Sequence, residues 1–150
     1  MLHPLVLLLK IGVRDQEHAD RGPRVPATRR NCMVHFGFES GGATGWPATD
    51  WMEDIMLRTQ TPDVYDKWVT NEVKFNDPAV VNAIEIFGSF AKNDAYVDGG
   101  AAGVASVDFR DSPKGLFTVP PQCYMHRQAS FIPSFFGDDK VAGEDYNFFY

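Results

Sequence analysis

Residues 33–51, MVHFGFESGGATGWPATDW, predict a strand, a loop and a helix within one short stretch. The apolar run from Met33 to Phe38 predicts a buried strand, and the glycine pair at 41 and 42 predicts a loop after it. A helix is predicted to follow, because Pro47 suits a first helical turn. A strand, a glycine loop and a helix in succession are typical of an α/β fold.

The same helix-start chemistry recurs twice further along the chain. Thr61-Pro62-Asp63 predicts a short helix, and Asp77-Pro78 predicts a longer one that ends near Asn93-Asp94. Residues 101–109 are compatible with a small-residue helix or with a strand. The remaining predictions are a strand at Leu116–Val119, a helix at Gln122–Phe131 and a strand at Tyr146–Tyr150, followed by no polar tail, which is typical of a truncated chain.

Composition excludes several classes of protein. The chain has 150 residues, 44% hydrophobic and 23% charged, which is enough for one domain with a core. Its formal net charge of −6 disfavours nucleic acid as a partner. No apolar run reaches the roughly 18 residues that a membrane-spanning helix needs.

Charge divides the chain near Asn31. Residues 1–30 contain six basic and three acidic residues, whereas the rest contains eight basic and 17 acidic ones. The apolar run Leu5–Leu9 is shorter than the roughly seven residues of a secretory h-region, so there is no clear signal peptide. We expect residues 1–30 to be a basic leader, disordered or non-native. A degraded export signal and a functional basic arm remain alternatives.

Four motifs in residues 31–150 carry a family resemblance. They are ESGGATGWPATDW at 39–51, VYDKW at 64–68, FNDPAV at 75–80 and HRQASFI at 126–132. They resemble the middle of bacterial extracellular solute-binding proteins of the sugar type, nearest the α-glucoside-binding components of ABC importers. The resemblance implies a fragment of one lobe of a type II periplasmic-binding-protein-like fold, helices packed on a small sheet. It also implies a sugar ligand, an ABC permease as partner of the full-length protein, a periplasmic or extracellular location and no cofactor.

Sugar sites combine a flat aromatic ring with carboxylates and planar donors, which predicts two groups of ligand-binding residues. Trp46 follows the glycine loop and is a candidate for stacking on a sugar, or else an ordinary core tryptophan. Glu39 and Asp50 are candidate hydroxyl acceptors, although Asp50 could instead compensate the dipole of the helix N-terminus.

The second predicted group lies in the helix expected at Gln122–Phe131. Tyr124 and Gln128 are four residues apart, with Arg127 beside them, so the three side chains could point the same way on a helix. The alternative for Arg127 is an ion pair with a surface carboxylate.

Cys32 and Cys123 are the two cysteines of the sequence. Exported domains fold in an oxidising compartment, so the resemblance implies a Cys32–Cys123 disulfide, with two buried free thiols as the alternative. No histidine or cysteine pair has metal-ligand spacing, and we expect no metal site.

Three functions are compatible with these observations. The first is sugar binding for an ABC importer, by a truncated and non-catalytic fragment. The second is a structural or oligomerising module without retained ligand binding. A glycosidase would need two carboxylates about 5 to 10 Å apart across the sugar, and we do not expect an enzyme.

Overall fold

The computed structural model describes residues 7–10 and 32–149, with side chains from 34 to 148. Four strands and four α-helices are formed in this part of the chain. In chain order they are β1 (Leu7–Lys10), β2 (Cys32–His35), α1 (Trp46–Thr59), α2 (Pro62–Val69), α3 (Pro78–Ala91), α4 (Gly100–Ser106), β3 (Cys123–Gln128) and β4 (Asn147–Phe149). Short 3-10 turns at Gly41–Ala43, Ser112–Phe117 and Ile132–Phe135 connect them. The predicted α/β class is confirmed.

The strands form one mixed sheet in the order β2-β3-β1-β4. β3 pairs with β2 in parallel and with β1 antiparallel, and β4 pairs antiparallel with β1. β1 falls within the range predicted as a disordered leader, so residues 7–10 depart from that prediction. Main-chain pairing with two neighbours holds this strand in the sheet. The remaining leader residues, apart from 7–10, lie outside the described residues, and their assignment stays a prediction.

The starts of the three predicted helices are confirmed. The Thr61 side chain accepts a hydrogen bond from the Val64 amide, and the Asp77 carboxylate accepts one from the Ala79 amide. Each helix has a proline in its first turn, where the missing N–H costs no hydrogen bond. α1 begins after Gly45, whose φ of 104° favours glycine. Of the two alternatives for residues 101–109, the helix is correct.

Two predictions for the second half of the chain are wrong. Leu116–Val119 is not a strand, because residues up to Phe117 form a 3-10 turn. Gln122–Phe131 is not a helix, because residues 123–128 form β3. This strand has β2 on one side and β1 on the other, and pairing of that kind outweighs local helix propensity.

β2 is also shorter than the predicted run Met33–Phe38. After His35 the backbone turns to α4 for its partners: the Phe38 amide donates to the Val104 carbonyl, and the Glu39 amide donates to the Val107 carbonyl. The end of α4 therefore fixes the entry to the glycine loop. The terminal strand is confirmed as β4 within the described residues.

The core consists of three clusters around this sheet. α1 packs on α3 through Ile55, Met56, Val80 and Ala83. The other clusters are Phe36 with Ala91, Val97 and Val104, and Leu116 with Ile132 and Phe136. Trp51 packs against the first two of these clusters. None of the helices in the described residues is long and apolar enough to cross a membrane.

Candidate functional site

Trp46 belongs to a cluster of aromatic rings at the start of α1. Its ring centroid lies 5.2 Å from that of Phe109 and 5.7 Å from that of Phe131, and Phe135 lies 5.6 Å from Phe109. We call these four residues the aromatic platform. Phe131 is 43% exposed and Phe135 37% exposed, and Trp46 is half-buried. The platform therefore presents ring surface to solvent.

Glu39, Asp108 and Arg110 lie beside the platform, and we call them the polar edge. Glu39 and Asp108 are paired through their backbones, and the Phe109 amide donates to the Glu39 carbonyl at 3.0 Å. The Glu39 carboxylate accepts a hydrogen bond of 2.6 Å from the Gly41 amide. This hydrogen bond holds the glycine loop and orients the carboxylate at its base.

Arg110 and Asp108 form a closely hydrogen-bonded ion pair in the polar edge. The Arg110 Nε and backbone amide both donate to Asp108 Oδ1 at 2.8 Å, and the guanidinium lies 5.7 Å from the Phe109 ring centroid. These hydrogen bonds lower the pKa of Asp108 and raise that of Arg110. Both groups are charged at neutral pH, so the polar edge offers a fixed anion and a fixed cation beside exposed rings.

Asp50 lies one helical turn after Trp46, on the same face of α1. α1 has no acidic residue in its first turn. Asp50 therefore lies beyond the position at which it would compensate the helix dipole. Burial raises the pKa of Asp50, opposed by the nearby charge of Arg127. Burial and the charge of Asp50 also raise the pKa of Glu53. These two half-buried carboxyl groups could accept hydrogen bonds from hydroxyl groups when ionised and donate hydrogen bonds to them when protonated.

Arg127 is buried and makes its contacts within the fold. Its side chain is only 5% exposed, and its Nη2 donates to the Asp50 carbonyl at 2.9 Å. The guanidinium carbon lies 4.2 Å from the Trp51 ring centroid, a cation–π contact. The nearest carboxylate oxygen to Nε belongs to Asp54, at 3.7 Å, beyond hydrogen-bond range. Burial lowers the pKa of Arg127, while Asp54 and Asp50 oppose this shift.

The predicted grouping of Tyr124, Arg127 and Gln128 is wrong because it assumed a helix. In β3 alternate residues face opposite sides of the sheet, so Tyr124 and Gln128 share one face and Arg127 lies on the other. Gln128 is buried, and its Oε1 accepts a hydrogen bond from the Ala129 amide. Tyr124 is half-buried. Whether any of the three contacts a ligand stays a prediction.

Sequence reasoning missed Phe109, Phe131, Phe135, Asp108 and Arg110. Phe131 lies in the motif at 126–132, but a helix was predicted there. The pairing of Glu39 with Asp108 joins residues far apart in the sequence, and no local pattern indicates such a pair. The tertiary fold alone brings the platform and the polar edge together.

A second cluster of polar residues joins β2, β3 and the turn before α4. One ligand atom each from His35, Asp98 and Cys123 lies within 4.8 Å of the other two. Cys123 is completely buried and disulfide-bonded, and Cys32 is opposite it in the parallel register. Among the described cysteines none is free. Sequence spacing, on which the expectation of no metal site rested, gives no sign of this grouping.

Two curated proteins align with much of the chain. The α-glucosides-binding periplasmic protein AglE of Rhizobium meliloti is 71% identical over 115 residues, which is 77% of this chain and 25% of that protein. The osmoprotective compounds-binding protein GgtB of Synechocystis is 46% identical over 137 residues, 83% of this chain and 32% of that protein. The chain is similar to part of a periplasmic solute-binding protein. The predicted resemblance is confirmed, and the chain spans about a quarter to a third of these relatives.

Two solved structures have the same fold over almost the whole chain. A chitin oligosaccharide binding protein superposes with a TM-score of 0.66 at 16% identity, covering 96% of this chain and 37% of that one. The solute receptor AcbH, described as preferring β-D-galactopyranose, gives 0.65 at 22% identity, covering 99% and 38%. At these identities the likeness establishes the fold alone. These relatives are binding proteins rather than enzymes. No protein-family profile matches the chain.

Proposed function

We propose that this chain is the carbohydrate-binding portion of an α-glucoside receptor that serves an ABC importer. The observation that carries the proposal is the aromatic platform, which exposes ring surface next to the charged polar edge. A sugar ring has an apolar face of C–H groups and a rim of hydroxyls, and these two surfaces match it. The 71% identity to an α-glucoside-binding protein supports the same ligand class.

In the proposed complex each group has one role. Trp46 stacks on the apolar face of the sugar, with Phe131 extending the surface. Glu39 and Asp50 accept hydrogen bonds from hydroxyl groups, and Arg110 donates to a sugar oxygen. In this proposed role the chain acts on no bond of the sugar and uses no cofactor. Tyr124, Arg127 and Gln128 support the site from the sheet.

A thermal-unfolding series with maltose, trehalose and sucrose at millimolar concentration tests the proposal. We expect a rise in melting temperature with at least one sugar, and loss of that rise in Trp46→Ala. Trp68→Phe is the matched control, because Trp68 packs on Tyr65 and Phe75, away from the platform. No rise with any of the sugars, or an equal rise in Trp46→Ala, would contradict the proposal. Release of glucose from an aryl glucoside would contradict the non-catalytic assignment.

We also propose that Cys32 is the disulfide partner of Cys123. Each is the register partner of the other in adjacent parallel strands, and the sequence holds no third cysteine. The bridge fits the periplasmic location that the name of AglE gives and that we propose for this chain. Alkylation of the unreduced, denatured chain followed by mass measurement should add no label. Addition of two labels would identify two free thiols instead.

A second candidate function is a structural module that forms homo-oligomers. Exposed apolar side chains on α2, α3 and the segment between them favour it, namely Val69, Phe75, Val81 and Ile84. This candidate predicts a mass that rises with concentration in light scattering, and a monomer at high concentration would count against it. Under the first candidate function, by contrast, we propose that the full-length receptor delivers sugar to an ABC permease.

A further inference from the structure

We propose that reduction of the disulfide of Cys123 creates a transition-metal site, of the Zn²⁺ class, formed by His35, Asp98 and Cys123. This site is distinct from the aromatic platform and does not depend on sugar binding. The site forms only after the disulfide is reduced, because a sulfur atom in a disulfide cannot bind a metal as a thiolate does.

The geometry of the three ligand atoms carries the proposal. His35 is at the end of β2, Cys123 begins β3, and Asp98 lies in the turn before α4. Their ligand atoms lie within 4.8 Å of one another, and His35 Nε2 is 3.9 Å from Asp98 Oδ2. In a tetrahedral zinc site the ligand atoms are roughly 3.5 Å apart. Side-chain movements of about 1 Å would therefore close the three around one ion.

His35 supplies a second observation. Its side chain is buried, and neither ring nitrogen has a hydrogen-bond partner within the described residues. A buried polar group without a partner requires an explanation, and an ion is one such explanation. Gly115 leaves room beside Nδ1, because a Cβ at this position would lie only 3.0 Å from that atom.

The redox step is a thiol–disulfide exchange with a dithiol. The dithiol gives two electrons and two protons, its own sulfurs join as a disulfide, and the S–S bond of the chain becomes two thiols. Zn²⁺ then displaces the thiol proton of Cys123, and the thiolate binds beside the imidazole and the carboxylate. The oxidised chain has no such thiolate, so metal affinity depends on the redox state.

The chemistry of the three donors selects the metal. A thiolate, an imidazole and a carboxylate are all ligands that zinc takes in proteins, whereas calcium and magnesium bind oxygen ligands. Co²⁺ occupies similar N and S sites and serves as a coloured probe. These three protein ligands leave a fourth position in a tetrahedral site.

The experiment titrates the full chain with CoCl₂ before and after reduction by dithiothreitol, which gel filtration then removes under nitrogen. We expect one Co²⁺ per reduced chain, with thiolate-to-cobalt charge-transfer absorption that one equivalent of ZnCl₂ abolishes, and no such absorption for the oxidised chain. Charge-transfer absorption without reduction, or none after reduction, would overturn the proposal.

Variants assign the ligands. Asp98→Asn and His35→Asn should each weaken Co²⁺ binding at least about tenfold, since even an outer-shell change costs that much. Asp98 is partly exposed, so Asp98→Asn is expected to fold even if His35→Asn does not. Asp111→Asn, at an exposed carboxylate, and His18→Asn, outside the described residues, are the matched controls. Equal affinity in Asp98→Asn and Asp111→Asn would remove Asp98 from the site and overturn the proposal.

Cysteine variants separate the metal site from the reductant. Cys32→Ser cannot form the bridge, so its Cys123 thiol should bind Co²⁺ with no reduction. Cys123→Ser should show no charge-transfer absorption under any condition. If Cys123→Ser keeps the absorption, Cys123 is not the thiolate ligand and the proposal fails.

Discussion

Trp46 and Trp51 are five residues apart on one helix and have different surroundings. Trp46 begins α1 among half-exposed rings, whereas Trp51 packs on Phe36 and Phe90 and lies against the buried Arg127. Five residues advance a helix by one full turn and about a further 140°, so the two rings lie on nearly opposite faces. Trp46 therefore lies in a cluster that presents ring surface to solvent, whereas Trp51 stabilises the fold, and the proposed sugar contact falls on Trp46.

Trp51→Ala should have the largest effect on stability. The ring fills the space between two core clusters and also contacts Arg127, so its loss removes apolar burial and the cation–π contact. We expect the free energy of unfolding to fall by about 4 kcal/mol, as when an aromatic side chain packed on a core is truncated to alanine. Urea denaturation measures this change. A loss no larger than that of Trp46→Ala would remove the contrast between the two residues.

Acid should have the second-largest effect on stability, through the buried side chain of His126. His126 is fully buried, its Nδ1–H donates to the His35 carbonyl, and burial lowers its pKa from 6.5 to about 4. The unfolded chain therefore binds a proton at a higher pH than the folded chain does. Stability from this group is complete above about pH 6.5 and is lost as the pH falls toward 4, by about 3 kcal/mol in total.

Urea denaturation at several pH values measures this dependence. His126→Asn keeps a donor for the His35 carbonyl but does not titrate, so it should remove most of the slope between pH 6.5 and 4. His35 has a pKa lowered by burial as well, opposed by Asp98, and it contributes a remaining slope of the same sign. An unchanged slope in His126→Asn would assign the acid sensitivity to other groups.

Arg127→Met should have an intermediate effect. Methionine keeps much of the apolar stem and removes the charge that lies against Trp51. We expect a loss of about 2 kcal/mol, the magnitude of a desolvated cation–π contact. A double-mutant cycle with Trp51→Leu isolates the contact, because additive losses would show that the two side chains are not coupled.

Trp46→Ala should have the smallest effect on stability and a large effect on binding. A half-exposed ring at a helix start contributes about 1 kcal/mol to folding by burial of part of its surface. For a sugar that raises the melting temperature, calorimetric titration should show affinity reduced at least about tenfold, as for an anchoring aromatic residue. Retained affinity would contradict the proposed stacking of Trp46 on the sugar.

The helical part of the molecule was largely predictable because its signals are local. Thr61 and Asp77 act as caps within two or three residues of their partners, and each following proline marks a first turn. The segment 116–131 was not predictable in this way. Residues 123–128 within it pair with β1 and β2, which lie more than 80 residues earlier in the chain, so helix and strand could not be distinguished locally there.

The sequence by itself determined the α/β class, the starts of three helices and, through its motifs, the resemblance to sugar-binding receptors. Those features depend on neighbouring residues or on order along the chain. Only the tertiary structure decided that Glu39 lies beside Asp108, that Arg127 lies beneath Trp51 and that His35 meets Asp98 and Cys123. Each of these contacts joins distant segments, and their placement follows from strand register and helix packing, which local patterns do not specify.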